Sequence, residues 1–107
     1  MTLELNDKKI NEEIKNFQGL VLVDFWAPWC GPCKIYGKII EKIKKEFKKN
    51  KNIKVVKLNV DENKVIAETF NVMSIPTLKI FKNGKVIEDL IGLDTKEDLI
   101  NKIKNKL

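Results

Sequence analysis

Cys30 and Cys33 are the only cysteines in the 107-residue chain, and only Gly31 and Pro32 separate them. Two intervening residues let the sulfurs reach one another across the first turn of a helix. The surrounding sequence supplies such a start, because a nearly continuous apolar run, Leu20 to Trp26, leads through Ala27, Pro28 and Trp29 into the pair. Unpaired amides and the helix dipole at that point stabilise a thiolate, the attacking species in disulfide exchange. Pro32 suits an early helical position, where a missing N–H costs nothing. Trp29 offers an aromatic wall beside the sulfur. The pair could instead be a structural disulfide or half of a metal site. A four-residue loop staples very little, and a Cys₄ site would need a second chain, so redox chemistry is the favoured reading.

Asp24 is the second chemically unusual residue. It stands inside Leu20-Val-Leu-Val-Asp-Phe-Trp26, six residues before Cys30 and on the strand face of Leu22 and Trp26. A carboxylate buried in apolar surroundings tends to take up a proton, and such a group is suited to moving protons for a nearby thiol. A strand-end aspartate within reach of solvent is the bland alternative. Lys57, in the next apolar run, is the natural counter-charge; taken alone it is one lysine among many. Pro76 follows Ile75 just before another strand, and few X-Pro bonds in folded proteins are cis. Gly92 is either a plain loop glycine or a point of close backbone approach.

The residue types that are missing exclude whole classes. With no histidine, Ser-His-Asp and Cys-His catalysis and His-ligated zinc or haem are ruled out. All 21 cationic side chains are lysine, so bidentate guanidinium recognition of phosphate or guanine is unavailable. The net charge of +6 is localised. Residues 34–51 hold eight lysines against Glu41 and Glu46, and the remaining thirteen lysines and thirteen acids cancel. At 100° per residue, Ile35, Tyr36, Ile39, Ile40, Ile43 and Phe47 form one face of this segment. Lys34, Lys38, Lys42, Lys45 and Lys49 form a stripe on the other side. Without arginine or interleaved aromatics, a solvated helix face is favoured over a nucleic-acid site.

These groups must be positioned by alternating elements. Strands are expected at Thr2 to Leu5, Leu20 to Trp26, Ile53 to Asn59, Thr77 to Phe81 and Val86 to Ile91. Helices are expected at Lys8 to Phe17 with Asp7 as N-cap, in the basic segment after Cys33, at Asn63 to Phe70 and at Thr95 to Lys106. Asn83-Gly84 between the last two strands marks a tight antiparallel hairpin. Strands separated by helices should pair parallel. The expectation is one α/β domain over residues 1–107, a mixed central sheet with helices on both faces. No apolar run reaches membrane-spanning length, and the N-terminus has neither a basic n-region nor an apolar h-region, so the chain reads as cytoplasmic.

The run from Val23 to Lys34 (Val-Asp-Phe-Trp-Ala-Pro-Trp-Cys-Gly-Pro-Cys-Lys) resembles the thioredoxin family, as do Val60-Asp-Glu-Asn63, Ser74-Ile-Pro-Thr77, Phe81-Lys-Asn-Gly84 and Gly92. The resemblance extends over nearly the whole chain, in order and at family spacing. It implies the thioredoxin fold and a disulfide reductase acting on partner proteins. Cys30 would be the exposed nucleophile and Cys33 the resolving thiol, with Gly31 and Pro32 between them. Asp24 would match the buried acid that helps deprotonate Cys33, and Lys57 its neighbour. Pro76 would match a cis-proline facing the cysteines, and Trp29, Ser74, Ile75 and Gly92 would line a groove for the partner's extended segment. The implied partners are disulfide-containing proteins and a flavin- and NADPH-dependent reductase. The resemblance implies no bound cofactor and a monomer, while the residue types and the short apolar runs point to no nucleic-acid or membrane partner.

One position departs from the family pattern. A proline usually stands five residues after the second cysteine and kinks the helix; here Lys38 occupies the place, after Gly37. An oxidase or isomerase on the same fold is disfavoured by the Gly-Pro dipeptide and the lack of an export signal. A redox-inactive binding module and a cluster-bridged dimer are the remaining alternatives.

Overall fold

A computed structural model of the chain describes residues 3–4 and 9–107. The elements run β1 (Leu3–Glu4), α1 (Ile10–Asn16), β2 (Leu20–Trp26), α2 (Gly31–Glu46), β3 (Ile53–Asn59), α3 (Lys64–Thr69), β4 (Thr77–Lys82), β5 (Lys85–Ile91) and α4 (Lys96–Lys104). This is the order read from the sequence. Thr2, Leu5 and the expected cap Asp7 lie outside the described residues, as does Lys8. Among the described residues no helix is long and apolar enough to cross a membrane.

The strands form one sheet in the order β1-β3-β2-β4-β5. β2 lies at its centre and is apolar on both faces because two separate cores use its alternate residues. Leu20 and Leu22 join Tyr36, Ile40 and Ile43 of α2, Leu78 and Ile80 of β4, and Leu99 and Ile103 of α4. Val21, Val23 and Phe25 point the other way, toward Ile10 and Ile14 of α1, Val56 and Leu58 of β3, and Ile66 of α3. Phe70, just past α3, seals this second core with edge-on contacts to Phe25 and Phe81, at centroid distances of 6.3 and 5.3 Å. The helices thus cover both faces of the sheet.

The structure corrects the expected pairing of one strand. β1 and β2 pair parallel with β3, but β4 runs antiparallel to β2 although helices intervene. The connection between β3 and β4, residues 60–76, does not run back along the sheet, because α3 packs Ile66 into the core with Val23, Phe25, Val56 and Leu58. The chain therefore re-enters the sheet where it left it, and Thr77, the first residue of β4, pairs with Phe25 near the end of β2.

A second correction concerns α2. Tyr36, Ile40, Ile43 and Phe47 are buried as expected, but Ile35 is 57% exposed. At 100° per residue it lies about 120° from the centre of the buried face, on the flank next to Lys38 and Lys42. α2 passes through Gly37 and Lys38 without interruption, so lysine in place of the family's proline leaves the helix intact.

Gly19 fixes the entry to β2. Its φ is +130°, and a Cβ there would run into the backbone carbonyl of Asn52, which accepts a hydrogen bond from the Leu20 N–H at 2.7 Å. Gly37 sits in ordinary helix, and a Cβ there would meet nothing within 4 Å. Gly19→Ala should therefore cost about 1–3 kcal/mol of stability, while Gly37→Ala should add about 0.5–1 kcal/mol. Urea denaturation of the two variants checks both signs.

Candidate active site

The site forms where β2 ends and α2 begins. Val60 N–H donates to the Trp26 carbonyl at 2.9 Å, extending the β2–β3 ladder past the last paired residues, and Cys30 N–H turns back to the Ala27 carbonyl at 3.2 Å. Cys30 then caps α2. Its backbone is extended (φ −89°, ψ 108°), and its sulfur accepts a hydrogen bond from the Cys33 N–H at 3.1 Å, with a proline in the first two helical positions. One of the orphan amides of the helix start is thus aimed at a sulfur.

Cys30 and Cys33 are joined as a disulfide, with Cα atoms 5.2 Å apart. They pack with Ala27, and Trp26, Val60 and Ile75 close over this small cluster. Exposure does not separate the two sulfur-bearing residues, at 5% for Cys30 and 4% for Cys33. This corrects the expectation of an exposed Cys30. What distinguishes Cys30 is its capping position, where both the amide and the helix dipole favour negative charge.

Asp24 is 3% exposed. The β2–β3 register pairs it with Lys57. Both line a cavity of about 300 Å³ together with Trp26, Cys33, Lys34, Gly37, Lys38 and Glu41. The structure therefore brings the expected acid, lysine and second cysteine to one space. The Lys57 ammonium lies 4.1 Å from the centre of the Trp26 ring, a cation–π contact that the sequence did not reveal. Tyr36 lies beneath. Burial chiefly, with smaller contributions from Asp94 and Asp24, raises its hydroxyl far above the usual phenolic range. It stays neutral and adds no charge beside Asp24.

A groove of about 350 Å³ is lined by Trp29, Val60, Val72, Met73, Ser74 and Ile75. It holds three of the expected groove residues and three apolar ones that sequence reasoning missed. The Ile75–Pro76 peptide bond is cis, and the Thr77 hydroxyl donates to the Ser74 carbonyl at 2.6 Å. Gly92, with φ +87°, donates its N–H to the Pro76 carbonyl at 3.0 Å. Gly92 thus braces the proline turn.

Trp29 is 69% exposed yet anchored, because its indole N–H donates to Asp61 Oδ2 at 2.8 Å. Asp61 is held in turn by its own N–H on Asn59 Oδ1, and the Asn63 amide donates to the Asn59 carbonyl, both at 2.9 Å. The Val60 to Asn63 run was visible in the sequence as a motif; its task was not, because Asp61 meets Trp29 only through the fold.

The sequence profile of the family described as Thioredoxin matches residues 1–105. The chain belongs to the thioredoxin family. It is 46% identical to a thioredoxin of Listeria monocytogenes over 99 residues, 92% of each chain. It is 41% identical to one of Rickettsia bellii over all 107 residues of both, and 43% identical to one of Griffithsia pacifica over 101 residues, covering 94% of this chain and 91% of that one. The fold described above is the thioredoxin fold. The protein is a thiol–disulfide oxidoreductase whose Cys30–Cys33 pair is the redox-active dithiol. Its substrates are disulfide-containing proteins, and a reductase recycles it.

If Asp61 holds the indole in place for a partner, Asp61→Ala should lower the rate of reduction of a disulfide-bearing protein about 2- to 10-fold, the value of one hydrogen bond. Stopped-flow rates report the loss. A thermal melt should show stability within about 1 kcal/mol of the parent, since the bond is at the surface.

Proposed function

We propose that Cys30 is the nucleophile and Cys33 the resolving thiol of a protein-disulfide reductase. The observation that carries the assignment is the Cys30 sulfur capping α2 and accepting the Cys33 N–H. In the reduced protein a Cys30 thiolate attacks one sulfur of the partner's disulfide. That S–S bond breaks, a bond to Cys30 forms, and the partner's other sulfur leaves as a thiolate that takes up a proton. Cys33 then loses its proton and attacks the Cys30 sulfur, closing the Cys30–Cys33 disulfide and freeing the partner's second thiol. The partner gains two electrons from the dithiol and two protons, one matching the proton that Cys33 gives up and the other taken from solvent.

Asp24 is assigned as the acceptor of the Cys33 proton. It shares the cavity with Cys33, and Lys57 supplies positive charge in that same space. The partner's segment is assigned to the groove of Trp29, Ser74 and Ile75, beside the Pro76 turn that Gly92 braces. Gly31 and Pro32 set the sulfur spacing. A monomer working as one domain over residues 1–107 is assigned, in line with a family profile that matches residues 1–105. A flavin- and NADPH-dependent reductase is the assigned electron source. A cytoplasmic setting fits a chain whose only two cysteines form the redox pair.

Cys33→Ser should trap a covalent complex with a disulfide-bearing protein, visible by mass spectrometry, while Cys30→Ser should trap none. The reverse pattern would exchange the two roles. Asp24→Asn should slow closure of the Cys30–Cys33 disulfide by roughly 10- to 100-fold, at or below the low end of general-base contributions. An equilibrium titration against a thiol buffer should place the pair's potential below the cytosolic glutathione poise of roughly −220 to −260 mV. A potential well above that range would identify an oxidant instead.

A further inference from the structure

The chain's entire net charge falls on the segment built around α2, and the structure leaves it open to solvent. Lys34, Lys38, Lys42 and Lys45 of α2, and Lys49 in the turn that follows it, are all exposed. None of them belongs to the ion pairs found among the described residues, which engage Lys54, Lys79, Lys96, Lys102 and Lys106. Eight lysines in the segment stand against only two glutamates, so a surplus of six positive charges remains. Glu46 faces Lys96 of α4 at 3.9 Å, and Glu41 lines the cavity that holds Asp24. The stripe begins one residue after Cys33, and its first two members, Lys34 and Lys38, line that same cavity with Cys33. Ile35 is exposed on its flank, three residues before Lys38 and seven before Lys42.

We infer that this face of α2 is a docking surface for an acidic polypeptide flank on the disulfide-bearing partner, one that delivers the disulfide to Cys30. The inference deepens the reductase reading and rests on it. Lysines one helical turn apart are closer than the Debye length of about 8 Å at physiological salt, so they act together on an approaching anionic chain. Complementary charge of this kind raises association rates by about 10- to 1,000-fold at low ionic strength. A polypeptide fits the surface better than a nucleic acid does. The stripe has no guanidinium to grip phosphate in two places and no exposed ring to stack on a base, because Tyr36 and Phe47 face the core. Ile35 supplies apolar contact for a protein side chain. The sixteen residues of α2 span about 24 Å, a length that about seven extended residues cover.

The test uses three peptides that carry the same disulfide and differ in an eight-residue arm rich in Asp and Glu, in Ser and Gly, or in Lys. Reduction rates by the reduced protein are measured from low to high sodium chloride. The acid-armed peptide should react at least about tenfold faster than the lysine-armed one at low salt, with the advantage vanishing at high salt. The variant carrying Lys42→Glu, Lys45→Glu and Lys49→Glu, which takes the segment's charge from +6 to zero, should erase the difference between the two arms. Equal rates for the three arms at low salt, or an order that survives high salt, overturn the docking surface. Tight binding of a random-sequence oligonucleotide with no arm effect overturns it in favour of nucleic acid. The Ser/Gly-armed peptide keeps the two readings apart. If even that peptide is not reduced, the reductase assignment fails; if it is reduced and the arms make no difference, only the docking surface fails.

Discussion

A sulfur held at the open end of a helix is the constraint around which this protein is arranged. The Cys30 sulfur receives the Cys33 N–H, an amide that has no partner within the helix. That arrangement is useful only if the helix start cannot drift. β2 prevents drift from one side, since it is paired on both edges and buried on both faces. α2 prevents it from the other, because Tyr36, Ile40 and Ile43 are locked into the core beneath the sheet. The four residues between Trp26 and Gly31 have no freedom to re-aim the sulfurs without disturbing one of these two packed elements.

The other parts of the site reach the same place through topology. β2 and β3 are parallel, so Trp26 and Asn59 end at the same edge of the sheet, and Asp61 follows directly. The connection through α3 re-enters the sheet where it left it, so Ser74 to Thr77 arrive at that edge too. The hairpin between β4 and β5 then returns Ile91 opposite Thr77, which places Gly92 against Pro76. Four separated stretches of sequence thus converge on the cysteines, and each is anchored by a backbone or asparagine hydrogen bond.

Charge is divided sharply around this centre. The groove of Trp29, Val60, Val72, Met73, Ser74 and Ile75 has no ionisable side chain, whereas the cavity behind Cys33 has five. An apolar groove admits an extended segment at little desolvation cost, and a charged cavity reached by solvent is where protons can be exchanged. α2 takes part in both the core and the charged side. Its buried face holds the fold together, and its basic face begins at the dithiol.

Local pattern carried most of the architecture. A nearly continuous apolar run identified β2, the period of α2 identified most of its buried face, Asn83-Gly84 marked the hairpin, and the helix expected from Thr95 forms with Thr95 capping it through the Asp98 N–H. The cysteine spacing carried the chemistry, since two sulfurs one helical turn apart need no distant residue to meet. The antiparallel course of β4 was not legible, because it depends on where the connection through α3 packs against the sheet. The exposure of Ile35 depends on where the neighbouring elements stop covering α2, and the bond from Trp29 to Asp61 on two loops that meet only in the folded chain. Periodicity and spacing act within a few residues and are written in the sequence itself. Which distant groups share a cavity is decided by strand order and helix length together, and only the tertiary structure expresses both.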